Sequence, residues 1–477
     1  MRQAGPPRVV VVGGGISGLA CAHALQSRAR AAGMKASITL VERAERLGGC
    51  IVTERRDGFL VEGGPDSFLA EKPWARELCA ELGIEEDLIG TEPAARRVYV
   101  LSGQRLHPLP EGFVLTVPTA IGPLLSSSLF SWPGKLRMVM ERFVRPRLDD
   151  DDESLASFVL RRLGREALER VAEPLMAGIY AGDPEALSLR ATFPGFSECE
   201  RRYGSLIRAM RARRREAQAP KEASGRPASL FLTLSGGMGG LVDRMVAALD
   251  DVDVRLGAAV EAVAPAPSGG WRIQLNGDEP LDADAVALTV PSWRAAPLLA
   301  ALDPPLASLL KTIPWVSSAT VAAAWKRVDV GHPLDGSGFV VARGEGRSIT
   351  ACTWSSEKFS GRAPPGRVLI RAFVGGAKQE ALAELDDEPL VEMVRADLSE
   401  ILSIRNEPLF VRIFRWPRAI PQYTMGHLER VSAIEAALER HPGLTLAGAS
   451  YRGLGIPDCI RQGREAAERL LTALASP

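Results

Sequence analysis

Four consecutive valines, Val9–Val12, open the patterned part of the chain, and glycines close the run. An unbroken β-branched run of this length predicts a buried strand. Leu19–Arg30 predicts the helix after it, and Ser37–Val41 a second strand. Further strands are predicted at Phe59–Glu62, Phe231–Leu234, Val252–Leu256, Ala259–Val263, Trp271–Leu275 and Ala285–Thr289, with a helix at Gly240–Leu249. From about 93 to 215 the pattern changes. A short strand pair, Arg97–Val100 and Gly103–Leu109, gives way to helical periods over Lys135–Phe143, Ser154–Leu163 and Glu166–Ala177. Residues 312–415 are strand-rich again, at Ala319–Trp325, Gly338–Val341, Ser348–Thr353, Val368–Val374 and Leu409–Trp416. A helix at Leu390–Leu402 follows Pro389, a residue suited to a helix start. The chain closes with a strand at Leu444–Ala449, a turn at Ser450–Asp458 with Gly453 and Gly455, and a helix at Cys459–Leu471.

This order predicts a molecule of mixed class, α/β and α+β. At 477 residues the chain exceeds one ordinary core, so two or three domains are expected. The glycine-rich turns at the two ends need one domain to hold them both. The division expected is therefore a discontinuous nucleotide domain from 1–92, 228–300 and 417–477. A mostly helical insert at 93–227 and a sheet-rich domain at 301–416 complete it.

Composition narrows the class. Hydrophobic content of 46%, charge of 24% and zero net charge suit a soluble globular protein and argue against a nucleic-acid partner. Cys21, Cys50, Cys79, Cys199, Cys352 and Cys459 are scattered like free cytosolic thiols, and no metal-ligand spacing is present. The first strand starts too early for a signal peptide, so a cytoplasmic protein is expected. No stretch offers about 20 uninterrupted apolar residues. Phe130 and Trp132, beside Arg137, Arg142, Arg145 and Arg147, suggest a peripheral contact with the inner face of the membrane. The acidic run Asp149–Glu153 reads as a solvated helix start. Arg201–Pro227 reads as a basic helix running into a loop, with few aromatic residues.

The first chemical motif is Gly13-Gly14-Gly15-Ile16-Ser17-Gly18, a G-x-G-x-x-G turn between a strand and a helix. Its glycines permit a tight turn, a close backbone approach to a pyrophosphate, and close helix–strand packing. The helix N-terminus favours the anion. Glu42, at the end of the second strand, sits where an acid accepts ribose hydroxyls. Arg46, Gly49 and Cys50 follow. Gly64-Pro65-Asp66-Ser67 makes a second rigid turn. The Gly453–Gly455 turn and its helix supply a dipole suited to negative charge.

Glu42–Gly49 and the Gly-Gly-Pro turn resemble the FAD-binding amine oxidase superfamily. Gly178-Ile179-Tyr180-Ala181-Gly182-Asp183, Leu187-Ser188, Phe193-Pro194, Ile420-Pro421-Gln422-Tyr423-Thr424-Met425-Gly426-His427 and Gly448-Ala449-Ser450-Tyr451 narrow the resemblance. Together they are similar to oxygen-dependent protoporphyrinogen oxidases and their coproporphyrinogen-oxidising bacterial relatives. The resemblance implies an FAD-binding Rossmann-type domain, a mixed-sheet substrate domain and a helical insert. It implies oxidation of protoporphyrinogen IX to protoporphyrin IX, with dioxygen as acceptor and hydrogen peroxide released. The alternative is coproporphyrinogen III to coproporphyrin III. An amine oxidase or carotene desaturase is a further alternative, as is a non-catalytic flavin-binding scaffold or membrane adaptor; lysine is scarce and no paired tyrosine cage is evident.

Carried over by resemblance, the FAD contacts are Gly13 to Gly18, Glu42, Arg46, Gly49, Cys50, Gly64 to Ser67, Val260, Trp416, Ala449, Leu454, Gly455 and Ile456. Arg97 would pair with a propionate of the macrocycle. The Gly178 carbonyl would face a pyrrole N–H, and Val340 and Phe373 would wall the ring. No side chain need be catalytic, because the flavin carries the chemistry. Hand-over to a chelatase and a homodimer are further expectations.

Overall fold

A computed structural model describes residues 5–475 apart from 115, 148 and 219–228. The end of the loop expected through Pro227 lies outside the described residues.

The valine run forms the strand Arg8–Val12 at the centre of a five-stranded parallel sheet. Its order is Val252–Arg255, Ser37–Val41, Arg8–Val12, Ala285–Leu288, Leu444–Leu446. Segments from the start, the middle and the end of the chain thus share one sheet. Buried on both faces, these strands carry apolar runs rather than alternation. On one face the helices Ile16–Ala31, Gly239–Ala247 and Ile456–Ala475 pack over Val9, Val11, Leu40 and Ala287. The meander Val260–Pro265, Trp271–Leu275, Leu281–Ala283 covers the other face with helices Ser292–Leu298, Pro304–Lys311 and His427–Leu438.

The first and last helices meet closely. A Cβ at Gly463 would overlap the Ser17 carbonyl oxygen, and one at Gly18 would overlap the Gly13 carbonyl oxygen. Only glycine lets these backbones touch. The contact brings both glycine-rich turns to one end of the sheet, at the carboxyl ends of its strands, where open α/β sheets bind ligands.

The second sheet has seven strands, in the order Phe410–Pro421, Trp315–Lys326, Arg367–Gly375, Ile349–Trp354, Gly338–Val341, Val98–Ser102, Arg105–Pro108. All pairs are antiparallel except Gly338–Val341 with Val98–Ser102. The strand pair expected at the head of the helical insert therefore belongs to this sheet instead. Its partner lies far along the chain, and periodicity reports a strand but not its neighbour. Helix Asp387–Leu402 covers one face through Leu390, Val394, Leu398 and Leu402.

The helical layer covers part of the opposite face. Helix Leu155–Arg162 starts at Ser154, whose hydroxyl accepts from the Ser157 amide. A π turn, Leu168–Ala172, joins Arg165–Ala167 to helix Glu173–Tyr180. The acidic run is exposed over Asp149–Asp151, as a solvated helix start should be, and is also paired. Asp149 bonds Arg147, Asp150 bonds Arg201, and Glu153 bonds Arg161. Phe130 is core, and the half-buried Arg137 is engaged by the carbonyls of Arg161 and Arg162 at a helix end, to which it donates. An exposed apolar ridge remains beside them: Trp132, Leu136, Met140 and Phe143.

Candidate flavin and substrate site

The site is assembled from backbone turns. The Gly48 amide donates to the Gly14 carbonyl at 2.8 Å, so the second glycine pair lies against the first turn. Glu42 is held by two amides, Gly14 at 2.7 Å and Ala44 at 2.8 Å. Val260 lies two residues beyond Ala258, whose amide donates to the Glu42 carbonyl at 3.0 Å. Arg46 donates to the carbonyls of Leu47, Gly49 and Ile51 and so fixes the loop that carries Cys50. A Cβ at Gly64 would overlap the Cys50 carbonyl oxygen, which forces the Gly-Gly-Pro turn against the same loop. Trp416 Nε1 donates to the Gly63 carbonyl at 3.0 Å.

The C-terminal turn closes the ring. A Cβ at Gly448 would lie 3.6 Å from Ser17 Oγ. Beyond Ala449 the chain passes Leu454 and Gly455 into the helix that begins at Ile456. Gly13 to Gly18, Glu42, Arg46, Gly49, Cys50, Gly64 and the Gly448–Ile456 turn thus converge.

The arrangement fits a dinucleotide. A Cβ at Gly15 would meet nothing within 4 Å, so the space before the first helix is open. That helix has Gly15 as its N-cap and no side-chain cap, which leaves its N-terminus to an anion.

A row of side chains crosses the second sheet on the face that meets the Gly-Gly-Pro turn. In register these are Phe414, Thr320, Phe373, Ala351, Val340 and Val100. A Cβ at Gly63 would reach Phe414 at 2.5 Å, which marks one end of the row. A Cβ at Gly178 would lie 3.7 Å from Val340 Cγ1 and 3.9 Å from Ala351 Cβ, which marks the other. Gly178, Val340 and Phe373 are therefore brought together on one apolar surface beside the Gly-Gly-Pro turn.

Arg97 is not brought to them. Its guanidinium pairs with Asp335 and lies 3.4 Å from the Tyr99 hydroxyl. Tyr99 packs with Trp354 on the opposite face of the sheet. The resemblance offered Arg97 as a propionate partner but did not show which way it turns.

Arg371 and Lys358 carry the charge at the site, and sequence reasoning missed both. Arg371, two residues before Phe373, is 2% exposed and donates to the Gly64 carbonyl at 2.6 Å. It also pairs with Asp66 at 3.3 Å, as Lys358 does at 3.0 Å. Burial raises the Asp66 carboxyl, but Lys358, Arg371 and the Ser67 hydroxyl more than reverse this and hold it well below the usual carboxylate range. Asp66 is thus an ionised brace of the turn, with Ser67 at 2.7 Å. Neither cation stands in a motif; an Arg among apolar strand residues was the one available signal.

The fold and site define a flavoprotein. The chain belongs to the flavin containing amine oxidoreductase family, whose profile matches residues 16–471, and it is an oxidoreductase with FAD as cofactor. It is 38% identical over 473 residues to the coproporphyrinogen III oxidase of Bacillus subtilis (strain 168), covering 99% of each chain. It is 32% identical over 485 residues to the chloroplastic protoporphyrinogen oxidase of Nicotiana tabacum, covering 97% of this chain and 85% of that one. A crystal structure from Exiguobacterium sp. 255-15, assigned provisionally as a protoporphyrinogen oxidase, matches with a TM-score of 0.86 and 33% identity. The match covers 99% of this chain and 100% of that one.

Two outcomes follow from the site geometry. Gly15→Val should fold, because nothing opposes the side chain, yet purify colourless, because the side chain fills the pyrophosphate's place; a fully flavin-loaded variant refutes this. His427 donates from Nε2 to the Tyr451 carbonyl at 2.8 Å, and burial pushes its imidazole down from 6.5 to about 4. Between those pH values the unfolded chain binds a proton that the folded chain refuses, so stability is lost as the pH is lowered through the window, by up to about 3 kcal/mol. Wild-type Tm should drop more steeply there than that of His427→Gln, and parallel slopes would count against this.

Proposed function

We propose that this flavoenzyme is a porphyrinogen oxidase acting on coproporphyrinogen III, with dioxygen as acceptor. The observation that carries the reading is the apolar row Phe373–Ala351–Val340, set between the flavin turn and Gly178. It offers a flat macrocycle a wall beside the cofactor. When bound, FAD accepts the hydrogens removed from the macrocycle and passes them to dioxygen, giving hydrogen peroxide. The chain's own task is to bind, orient and exclude water. Val340 and Phe373 pack against the ring, and the Gly178 carbonyl accepts from a pyrrole N–H. Arg97 serves a propionate only by leaving Asp335.

The choice of coproporphyrinogen III is supported by the end-to-end likeness to the Bacillus oxidase. Its four propionates also suit the cations beyond the strand ends on one side of the row, Arg343 and Lys378, each paired with Glu173. On the other side Arg97 precedes its strand but is turned to Asp335. Protoporphyrinogen IX, with two vinyl groups in place of two propionates, is the second reading, supported by the likeness to the tobacco oxidase.

The three-part division expected from the sequence is kept with three changes: residues 98–108 and the strand end 417–421 join the sheet domain, and helix Pro304–Lys311, packed on the nucleotide sheet, joins the nucleotide domain. The flavin contacts, including Val260, Trp416, Ala449 and Leu454, remain as assigned. A homodimer and hand-over of the porphyrin to a chelatase accompany this reading. So does peripheral attachment to the inner membrane face, through the ridge Trp132, Leu136, Met140 and Phe143. Trp132 and Phe143 are 68% and 67% exposed, and Lys135 and Arg142 lie over their rings. Among the described residues no helix is long and apolar enough to cross a membrane.

Purified yellow protein in air, offered each porphyrinogen separately, should oxidise coproporphyrinogen III faster, read as porphyrin fluorescence. Faster oxidation of protoporphyrinogen IX reverses the substrate choice, and oxidation of neither rejects the function. Replacing Trp132 and Phe143 together with serine should reduce binding to phosphatidylglycerol vesicles about tenfold or more at unchanged turnover. Equal binding of the wild type and the double variant would remove the ridge from the account.

A further inference from the structure

The segment Ile420–His427 stands out in the sequence, yet the flavin and the macrocycle wall leave it without a task. Two adjacent residues in it reach in different directions. Gln422, 5% exposed, donates from Nε2 to the Tyr180 carbonyl at 2.9 Å. Tyr180 ends the helix that carries Gly178, where carbonyls lack helical partners. A Cβ at Gly182 would stand 2.6 Å from Gln422 Oε1, so the chain beyond that helix is pressed on the same amide.

Tyr423, 1% exposed, reaches the other way. Its hydroxyl donates to the Ala449 carbonyl at 2.6 Å and accepts from the Gly453 amide at 2.9 Å. One phenol thus ties together both sides of the turn that leads into the helix at Ile456. His427 stacks on the Tyr423 ring at 4.0 Å and 15°, and itself holds the Tyr451 carbonyl in the same turn. The main chain is tied as well, since the Ser188 amide donates to the Tyr423 carbonyl at 2.8 Å.

We infer that Gln422 and Tyr423 are positioning residues. Together they form a strut that sets the macrocycle-bearing helix against the turn and helix N-terminus at the flavin. This rests on the function proposed above. Neither residue touches reacting atoms. Tyr423 acts through the turn, which aims the positive end of the last helix at the cofactor. Gln422 acts through Tyr180, which holds the register of Gly178. Hydride transfer depends steeply on such placement.

Tyr423→Phe keeps the ring and its stacking but removes the hydroxyl. The FAD dissociation constant should rise about tenfold. The flavin midpoint potential should fall by about 30 mV, the two-electron equivalent of a tenfold shift in equilibrium. Both are read without substrate, by dialysis and by reductive titration. Gln422→Leu should leave both unchanged and lower kcat/KM for the porphyrinogen about tenfold. Unaltered affinity and potential in a folded Tyr423→Phe overturn the inference. So does unaltered kcat/KM in Gln422→Leu, which tests it even if the tyrosine variant does not accumulate. A wild-type flavin that no porphyrinogen reduces would reject the proposed function while leaving the Tyr423 readouts standing.

Discussion

Backbone meeting backbone with no side chain between is the contact on which this molecule depends. Gly18 lies against the Gly13 carbonyl, Gly463 against the Ser17 carbonyl, and Gly64 against the Cys50 carbonyl. At each place a single methyl group would have to displace main chain rather than a flexible side chain, and packed interiors yield little to that demand. The contact of Gly463 with Ser17 joins the end of the chain to its start, and the other two fold the first part of the chain onto itself. They stack two helix N-termini and two flat turns around one open space, with amides and dipoles presented directly. A cofactor that carries a pyrophosphate at its middle and takes up electrons at one end finds both needs met by backbone.

Around this cradle the charges are fixed rather than free. Glu42 has both oxygens occupied by amides before any ribose arrives. Asp66 is ionised in a largely enclosed position because Lys358 and Arg371 neutralise it, and Arg371 in turn holds the Gly64 carbonyl. A buried charge without such partners would be expensive, and with them it stiffens the turn. The sheet face beyond is apolar. The site therefore divides into a polar, backbone-built cofactor cradle and an apolar wall for the ring, an economical arrangement where the flavin supplies the chemistry.

The cradle was largely legible beforehand. Val9–Val12, the glycine spacing and Glu42 are local signals, and each does locally what its residue type dictates. The strands of the second sheet were legible too, apart from their order. Arg97, a propionate partner by resemblance, is turned to Asp335, a partner 238 positions away that no local pattern reveals. Phe130 and Arg137 read as surface groups beside Trp132, yet one entered the helical core and the other a helix end. The exposed face is carried instead by Leu136, Met140 and Phe143, at helical spacing from Trp132. Tyr423 stood in a recognised stretch without a role, because its partners are main-chain atoms in another segment.

The sequence by itself determined most of the strands and the glycine turns of a dinucleotide site, because a β-branched run, a glycine at a required close approach and a helix start act over a few residues; FAD in particular was implied by the resemblance. Tertiary structure alone decided that residues 98–108 complete the distant sheet, that Phe373, Ala351 and Val340 align into one wall, and that Arg371 and Lys358 brace Asp66. Those outcomes depend on strand register and on which face each side chain takes, and both are settled only when segments hundreds of residues apart compete for the same buried surface.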